Sequence, residues 1–195
     1  TKDEYNNYVL KLENYLKENR RNLALGTGHI EQDKLPYNEI RFYREGNFQK
    51  YYAKQLLTHG REFMGEYHFY VPGVKLEVID LAPNVRAGAL ICNDAWAYPL
   101  ASPNGNPYYW RTLREMGCNI VFVSANCTMD VRDEIVYNFH ESMLRIMAKS
   151  YNMHVVVSSA CTDMNGVVVQ HTQAPSGIIS DTGEWIAKCK DQGMD

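Results

Sequence analysis

The sequence predicts an α/β domain built on mixed β-sheet, and three observations carry that reading. Apolar segments in the first half come in pairs joined by short turns, the pattern of antiparallel hairpins. Apolar runs in the second half alternate with helical segments, the pattern of strand–helix–strand units. The chain has 195 residues, of which 45% are hydrophobic and 22% charged. Those values are near the globular average and suffice for one core. Residues 1–195 read as a single domain, with no internal repeat, linker or low-complexity stretch.

The elements follow in order. Over residues 3–20, Tyr5, Tyr8, Val9, Leu12, Tyr15 and Leu16 recur at helical spacing among Lys, Glu and Asn, which predicts an amphipathic helix. Residues 23–27 form a short apolar run ending in Gly26-Thr27-Gly28, a strand and then a loop. Residues 38–43 and 48–54 flank Arg44-Glu45-Gly46-Asn47, a hairpin with glycine at its turn. Pro72-Gly73 marks a break. Residues 74–81 and 85–91 then make a second antiparallel pair around Ala82-Pro83-Asn84. A helix is expected over 107–117, ended by Gly117. A buried strand over 119–124 follows, then a long helix over 133–152 and an apolar strand over 154–159. Strands at 166–170 and 177–180 and a turn at 181–183 lead into 184–188.

Composition excludes several functions. The net charge is −3, with no run of like charge. That is not the basic footprint of a nucleic-acid binder, and no nucleic-acid partner is expected. The apolar stretches fall far short of the ~20 residues that span a bilayer, so no membrane partner is expected. The first residues, Thr1-Lys2-Asp3-Glu4-Tyr5, are polar and unlike a signal peptide. The five cysteines, Cys92, Cys118, Cys127, Cys161 and Cys189, are odd in number and include no Cys-x-x-Cys pair. Neither a disulfide framework nor a zinc site is expected, and reduced thiols in the cytoplasm fit better.

Cys92 stands out by position. It follows the strand at 85–91 and precedes Asn93-Asp94-Ala95-Trp96. A thiol on the turn after a strand is presented at the sheet's end, with the next backbone N–H groups free for an oxyanion. The plain alternative is a buried structural thiol, since free cysteine is among the most buried residue types. A thiol also needs a base or cation beside it to ionise near neutral pH. None of the six histidines, His140 and His171 among them, sits in a telling local pattern. A Cys–His acyltransferase or peptidase therefore stays open.

A set of fragments in order resembles the nitrilase (carbon–nitrogen hydrolase) superfamily. Tyr52-Ala53-Lys54-Gln55-Leu56-Leu57 is similar to its Tyr-x-Lys-x-x-Leu strand motif. Glu66 follows after a short loop, then Pro72-Gly73, then a hairpin ending in Cys92-Asn93-Asp94. Gly117-Cys118-Asn119-Ile120-Val121 resembles the family's Gly-Ala-Asp-plus-apolar strand. Residues 176–183 resemble its late Ser-x-Ile-Ile-Asp-x-x-Gly hairpin. The resemblance implies an α-β-β-α sandwich with mixed sheets and thiol-dependent hydrolysis of a small amide, or of a nitrile or carbamoyl group. No cofactor is implied. Cys92 would be the nucleophile, passing through a thioester. Lys54 would stabilise the oxyanion beside the Asn93 N–H and favour the thiolate, and Glu66, rather than Glu62, would orient the lysine or the substrate. An outward lysine on an edge strand is the plain reading of Lys54.

The departures bear on substrate. Asn93 replaces an aromatic residue, Ala95-Trp96-Ala97-Tyr98-Pro99 replaces Arg-Phe-Pro-Glu, and the loop 99–107 is distinctive. Trp96 and Asn126 are pocket candidates, with Trp96 equally readable as a core aromatic. The family's general-base glutamate would lie upstream of Thr1, and strands would follow Lys188. The expectation is thus a fold incomplete at both ends, drawn from a longer polypeptide that pairs as a homodimer or higher homo-oligomer. The alternative is a scaffold homologue without its base.

Overall fold

In a computed structural model, described here for residues 2–29, 35–58, 65–96, 108–126, 128–129, 139–159, 162–164, 167–172 and 174–190, two sheets pack face to face between helices. The first layer is α1 (Lys2–Glu18). It lies on a three-stranded antiparallel sheet of β1 (Leu23–His29), β2 (Tyr37–Arg44) and β3 (Asn47–Ala53), in the order β1-β2-β3. The second sheet has six strands. They are β4 (Val78–Ala82), β5 (Val85–Ile91), β6 (Ile120–Ala125), β8 (His154–Ser159), β11 (Gly177–Ile179) and β12 (Trp185–Lys188). Their order is β12-β11-β8-β6-β5-β4, with β5, β6 and β8 parallel and the rest antiparallel. β7 (Thr128–Met129), β9 (Thr162–Met164) and β10 (Val167–Thr172) form a small separate sheet. Helices α2 (Asn93–Trp96), α3 (Tyr109–Glu115) and α4 (Phe139–Tyr151) complete the described elements.

The layers follow from strand alternation. On β2, Ile40 and Phe42 enter the core, and Phe42 meets Phe122 of β6 edge-on at 5.7 Å. Tyr43 points the other way and donates its hydroxyl to Glu13 of α1. On β5, the face opposite Ala87 and Ala89 packs on helices. Gly88 sits there because a Cβ would come within 2.6 Å of Leu113 in α3. From α4, His140, Leu144 and Ala148 are buried. The order helix, sheet, sheet, helix is the predicted α-β-β-α sandwich. Beside β1, a cleft of about 420 Å³ separates the two sheets, lined by Ala24, Gly26, Ile40, Phe122 and Ser158 among others.

Most predicted elements appear within a few residues of their expected bounds. The β2–β3 hairpin turns through Glu45 and Gly46, both at positive φ, as a two-residue loop of that twist requires. A Cβ on Gly46 would also run into the backbone of Lys17, so α1 seats directly on this turn. The strand expected from residue 74 begins only at Val78, because residues 74–77 lie along β3 as an extended loop tied by Lys50–Glu77 and Lys75–Glu77 ion pairs. The predicted helix over 133–152 is described from Phe139 to Tyr151. Glu62, Cys127, Cys161, the loop 99–107 and the side chain of His171 lie outside the described residues. Among the described residues, no helix is long and apolar enough to cross a membrane.

Candidate active site

β5, β6 and β8 run parallel, so their carboxyl ends share one edge of the sheet. Crevices outside such ends are where open α/β sheets bind ligands. Cys92 stands there, immediately after β5. Its φ is 48°, the left-handed region that a non-glycine residue enters only when its surroundings hold it. The surroundings are visible. The Cys92 N–H donates to the Ser124 carbonyl of β6 at 2.8 Å, and the Cys92 carbonyl accepts from the Ala95 N–H at 2.9 Å. The chain then turns at once into α2, so the sulfur sits on a sharp strand-to-helix elbow and is partly exposed. Cys118, by contrast, is fully buried, and burial pushes its thiol up to about 11.

Lys54 follows the last residue of β3 and is only 2% exposed, so the outward edge-strand reading fails. Its ammonium pairs with Glu66 at 2.5 Å. Glu66 opens a short 3₁₀ turn, Glu66–His68, and its carboxylate is heavily bonded. One oxygen accepts the Thr58 N–H at 2.7 Å and the Thr58 hydroxyl at 2.8 Å, and the other accepts from the Asn38 amide at 3.2 Å. Burial pushes the Glu66 carboxyl up. The Lys54 charge and the Lys54 and Thr58 hydrogen bonds outweigh it and hold the group below its ordinary value. Thr58 also reaches the elbow, for its hydroxyl oxygen accepts from the Asn93 side-chain amide at 3.2 Å. Lys54, Glu66 and the residue after Cys92 are therefore joined through one threonine.

A second carboxylate underlies the elbow. Asp94 is fully buried. It accepts from the Tyr52 hydroxyl at 2.8 Å and from the backbone N–H groups of Leu56 at 2.7 Å, Gln55 at 3.2 Å and Ile91 at 3.2 Å. It thus ties the segment after Lys54 to the end of the strand that carries Cys92. Burial pushes its carboxyl up to about 6, against the pull of those donors and of the Lys54 charge.

Of the predicted site residues, Lys54, Glu66 and Asn93 are joined through Thr58, and Cys92 is the residue before Asn93 on the elbow. Asn126 is exposed just beyond β6, at the same edge of the sheet. Trp96 is 3% exposed in the core, its ring 4.4 Å from that of His140, which favours the core-aromatic reading. Its indole Nε1 is buried without a hydrogen-bond partner among the described residues. Thr58, Asp94 and Asn38 did not emerge as site residues from the sequence. For Asp94 a signal existed, since a carboxylate two residues past a strand-end cysteine caps the turn between them. No group of three or more His, Cys, Asp or Glu is placed to hold a metal among the described residues.

No protein-family model and no curated protein matches this sequence. Solved structures do. The glutamine-dependent NAD⁺ synthetase of Acinetobacter baumannii matches with a TM-score of 0.74 at 17% identity, over 97% of this chain and 33% of that one. An amidase of the nitrilase superfamily from Nesterenkonia AN1 matches with a TM-score of 0.73 at 15% identity, over 99% of this chain and 67% of that one. A variant of that amidase, carrying the acetamide moiety of fluoroacetamide on its active-site cysteine, matches with a TM-score of 0.74 at 17% identity, over 99% of this chain and 66% of that one. The chain shares the fold of these neighbours, the amidase of the nitrilase superfamily among them. The chain spans a third of the synthetase's length and about two thirds of the amidase's.

Proposed function

We propose that this chain carries the nucleophile, the oxyanion-stabilising lysine and the second glutamate of a carbon–nitrogen hydrolase acting on small amides. The observation that supports it is the single hydrogen-bonded corner in which Lys54 and Glu66 meet the Cys92 elbow through Thr58 and Asn93. The neighbours' active-site cysteine and small amide ligands agree with it.

In this reading the Cys92 thiolate attacks the carboxamide carbon, and the carbonyl π-electrons move onto oxygen. The Lys54 ammonium and the Asn93 N–H bind that oxyanion. A general base takes the proton of the Cys92 thiol and hands it to the nitrogen, and collapse expels the amine and forms a thioester at Cys92. Water then adds to the thioester carbon, and a second collapse releases the carboxylic acid and restores the thiol. Glu66 stays ionised and aims the Lys54 ammonium. The general base is the further glutamate that the family resemblance implies, and the working enzyme is a homo-oligomer.

Alkylation by iodoacetamide near neutral pH, read site by site by mass spectrometry, tests the nucleophile. Cys92 is expected to react at least about tenfold faster than the exposed Cys189, because in this reading the Lys54 ammonium favours its thiolate. Equal rates at Cys92 and Cys189 would refute the hydrolase reading and favour a non-catalytic scaffold.

A further inference from the structure

Thr58 lies outside every motif that led to the site, yet its hydroxyl is used to capacity. A hydroxyl has one proton and two acceptor sites. The proton goes to Glu66 at 2.8 Å, since an ionised carboxylate can only accept. The oxygen accepts from the Asn93 amide at 3.2 Å and from the Lys54 ammonium at 3.5 Å. The backbone completes the clasp. The Thr58 N–H also donates to the Glu66 carboxylate, and the Glu66 N–H donates to the Thr58 carbonyl at 2.9 Å.

We infer that Thr58 is a positioning residue for the proposed reaction, and the inference rests on that proposal. It does two things at once. It keeps Glu66 ionised against Lys54, and it fixes the Asn93 side chain. Asn93 carries the backbone N–H that would share the oxyanion, and its side chain is tied to the same hydroxyl. Through Thr58, the ammonium and the residue whose backbone N–H would share one oxyanion are tied to a single atom. A shape-conserving loss of that hydroxyl should uncouple them without emptying any space.

The test compares the wild-type chain with Thr58→Val and Thr58→Ser. The backbone N–H bond to Glu66 survives in all three, so the hydroxyl is isolated. Thr58→Val should slow Cys92 alkylation about tenfold, the scale of one lost hydrogen bond to a charged group. It should also raise the titration midpoint of the Glu66 carboxyl in ¹³C NMR. Thr58→Ser should restore both, and Cys189 alkylation should be the same throughout. A fast Cys92 in the wild type that stays as fast in Thr58→Val, with Glu66 unmoved, overturns this inference and leaves the hydrolase reading intact. A Cys92 no faster than Cys189 in the wild type overturns the hydrolase reading itself. In that case the Glu66 midpoint alone decides: a rise in Thr58→Val upholds the clasp, and no rise ends it.

Discussion

Glu66 and Asp94 are carboxylates in the same corner, both bonded by several donors, and they are pushed in opposite directions. Glu66 is held below its ordinary value and Asp94 rises to about 6. The number of hydrogen bonds does not separate them. What does is the partner's charge and the depth of burial. Glu66 touches a full ammonium at 2.5 Å and keeps a fifth of its side chain in solvent. Asp94 has no solvent at all, receives only neutral donors, and feels Lys54 from a distance. Desolvation then wins. The lesson is a division of labour. One carboxylate sets charge where the chemistry would occur, and the other knots two chain segments together beneath it.

The largest effect that would break this comparison is structural. Asp94→Ala leaves four donors, buried on Tyr52 and Ile91 and half-buried on Gln55 and Leu56, without their acceptor. Each such loss costs about 1–3 kcal/mol and the losses are not additive, so about 3–5 kcal/mol of stability should vanish in urea unfolding. A loss near zero would show that Asp94 is no knot.

The next is the pH dependence. Asp94 has a raised folded value, so between about 4 and about 6 the folded state binds more proton than the unfolded one. Its contribution is greatest below that window and is lost as pH rises through it, by about 3 kcal/mol at most. Glu66 has the opposite sign, since its contribution is present above its ordinary value and is lost as pH falls through its lowered one. Subtracting the stability curve of Asp94→Asn from that of the wild type should isolate the falling slope between pH 4 and 6. A flat difference would mean that the two carboxylates are not opposed.

The smallest effect sharpens the contrast. Glu66→Gln keeps an oxygen for Thr58 but leaves the buried Lys54 ammonium without its partly solvated counter-charge, and should cost about 2 kcal/mol in the same unfolding assay. A cost equal to that of Asp94→Ala would erase the distinction.

Much of this architecture is legible in the sequence because its signals are local. The Glu45-Gly46 turn, the helix stop at Gly117 and the apolar runs at 119–124 and 154–159 each declare themselves within a few residues. Lys54, Glu66 and Cys92 could be gathered through ordered motifs. Thr58 could not, for its importance comes from partners at positions 54, 66 and 93 that meet only after both sheets pack. The same holds for the late start of β4, where side-chain pairing with Lys50 competes with strand propensity. The burial of Trp96 also depends on a helix more than forty residues downstream.

The parallel run of β5, β6 and β8 has a kinetic consequence. Adjacent parallel strands here are separated in sequence by an intervening helix, so their pairing closes long loops and forms later than the two-residue β2–β3 hairpin. The elbow hangs on such a pairing, because the bond that steadies Cys92 ends on Ser124 of the neighbouring parallel strand. During refolding the Lys54 hairpin is therefore ready before the cysteine has its shape. A chain stalled at that stage would present an unshaped thiol and an unzipped strand edge together, the two features that most invite cross-linking between copies.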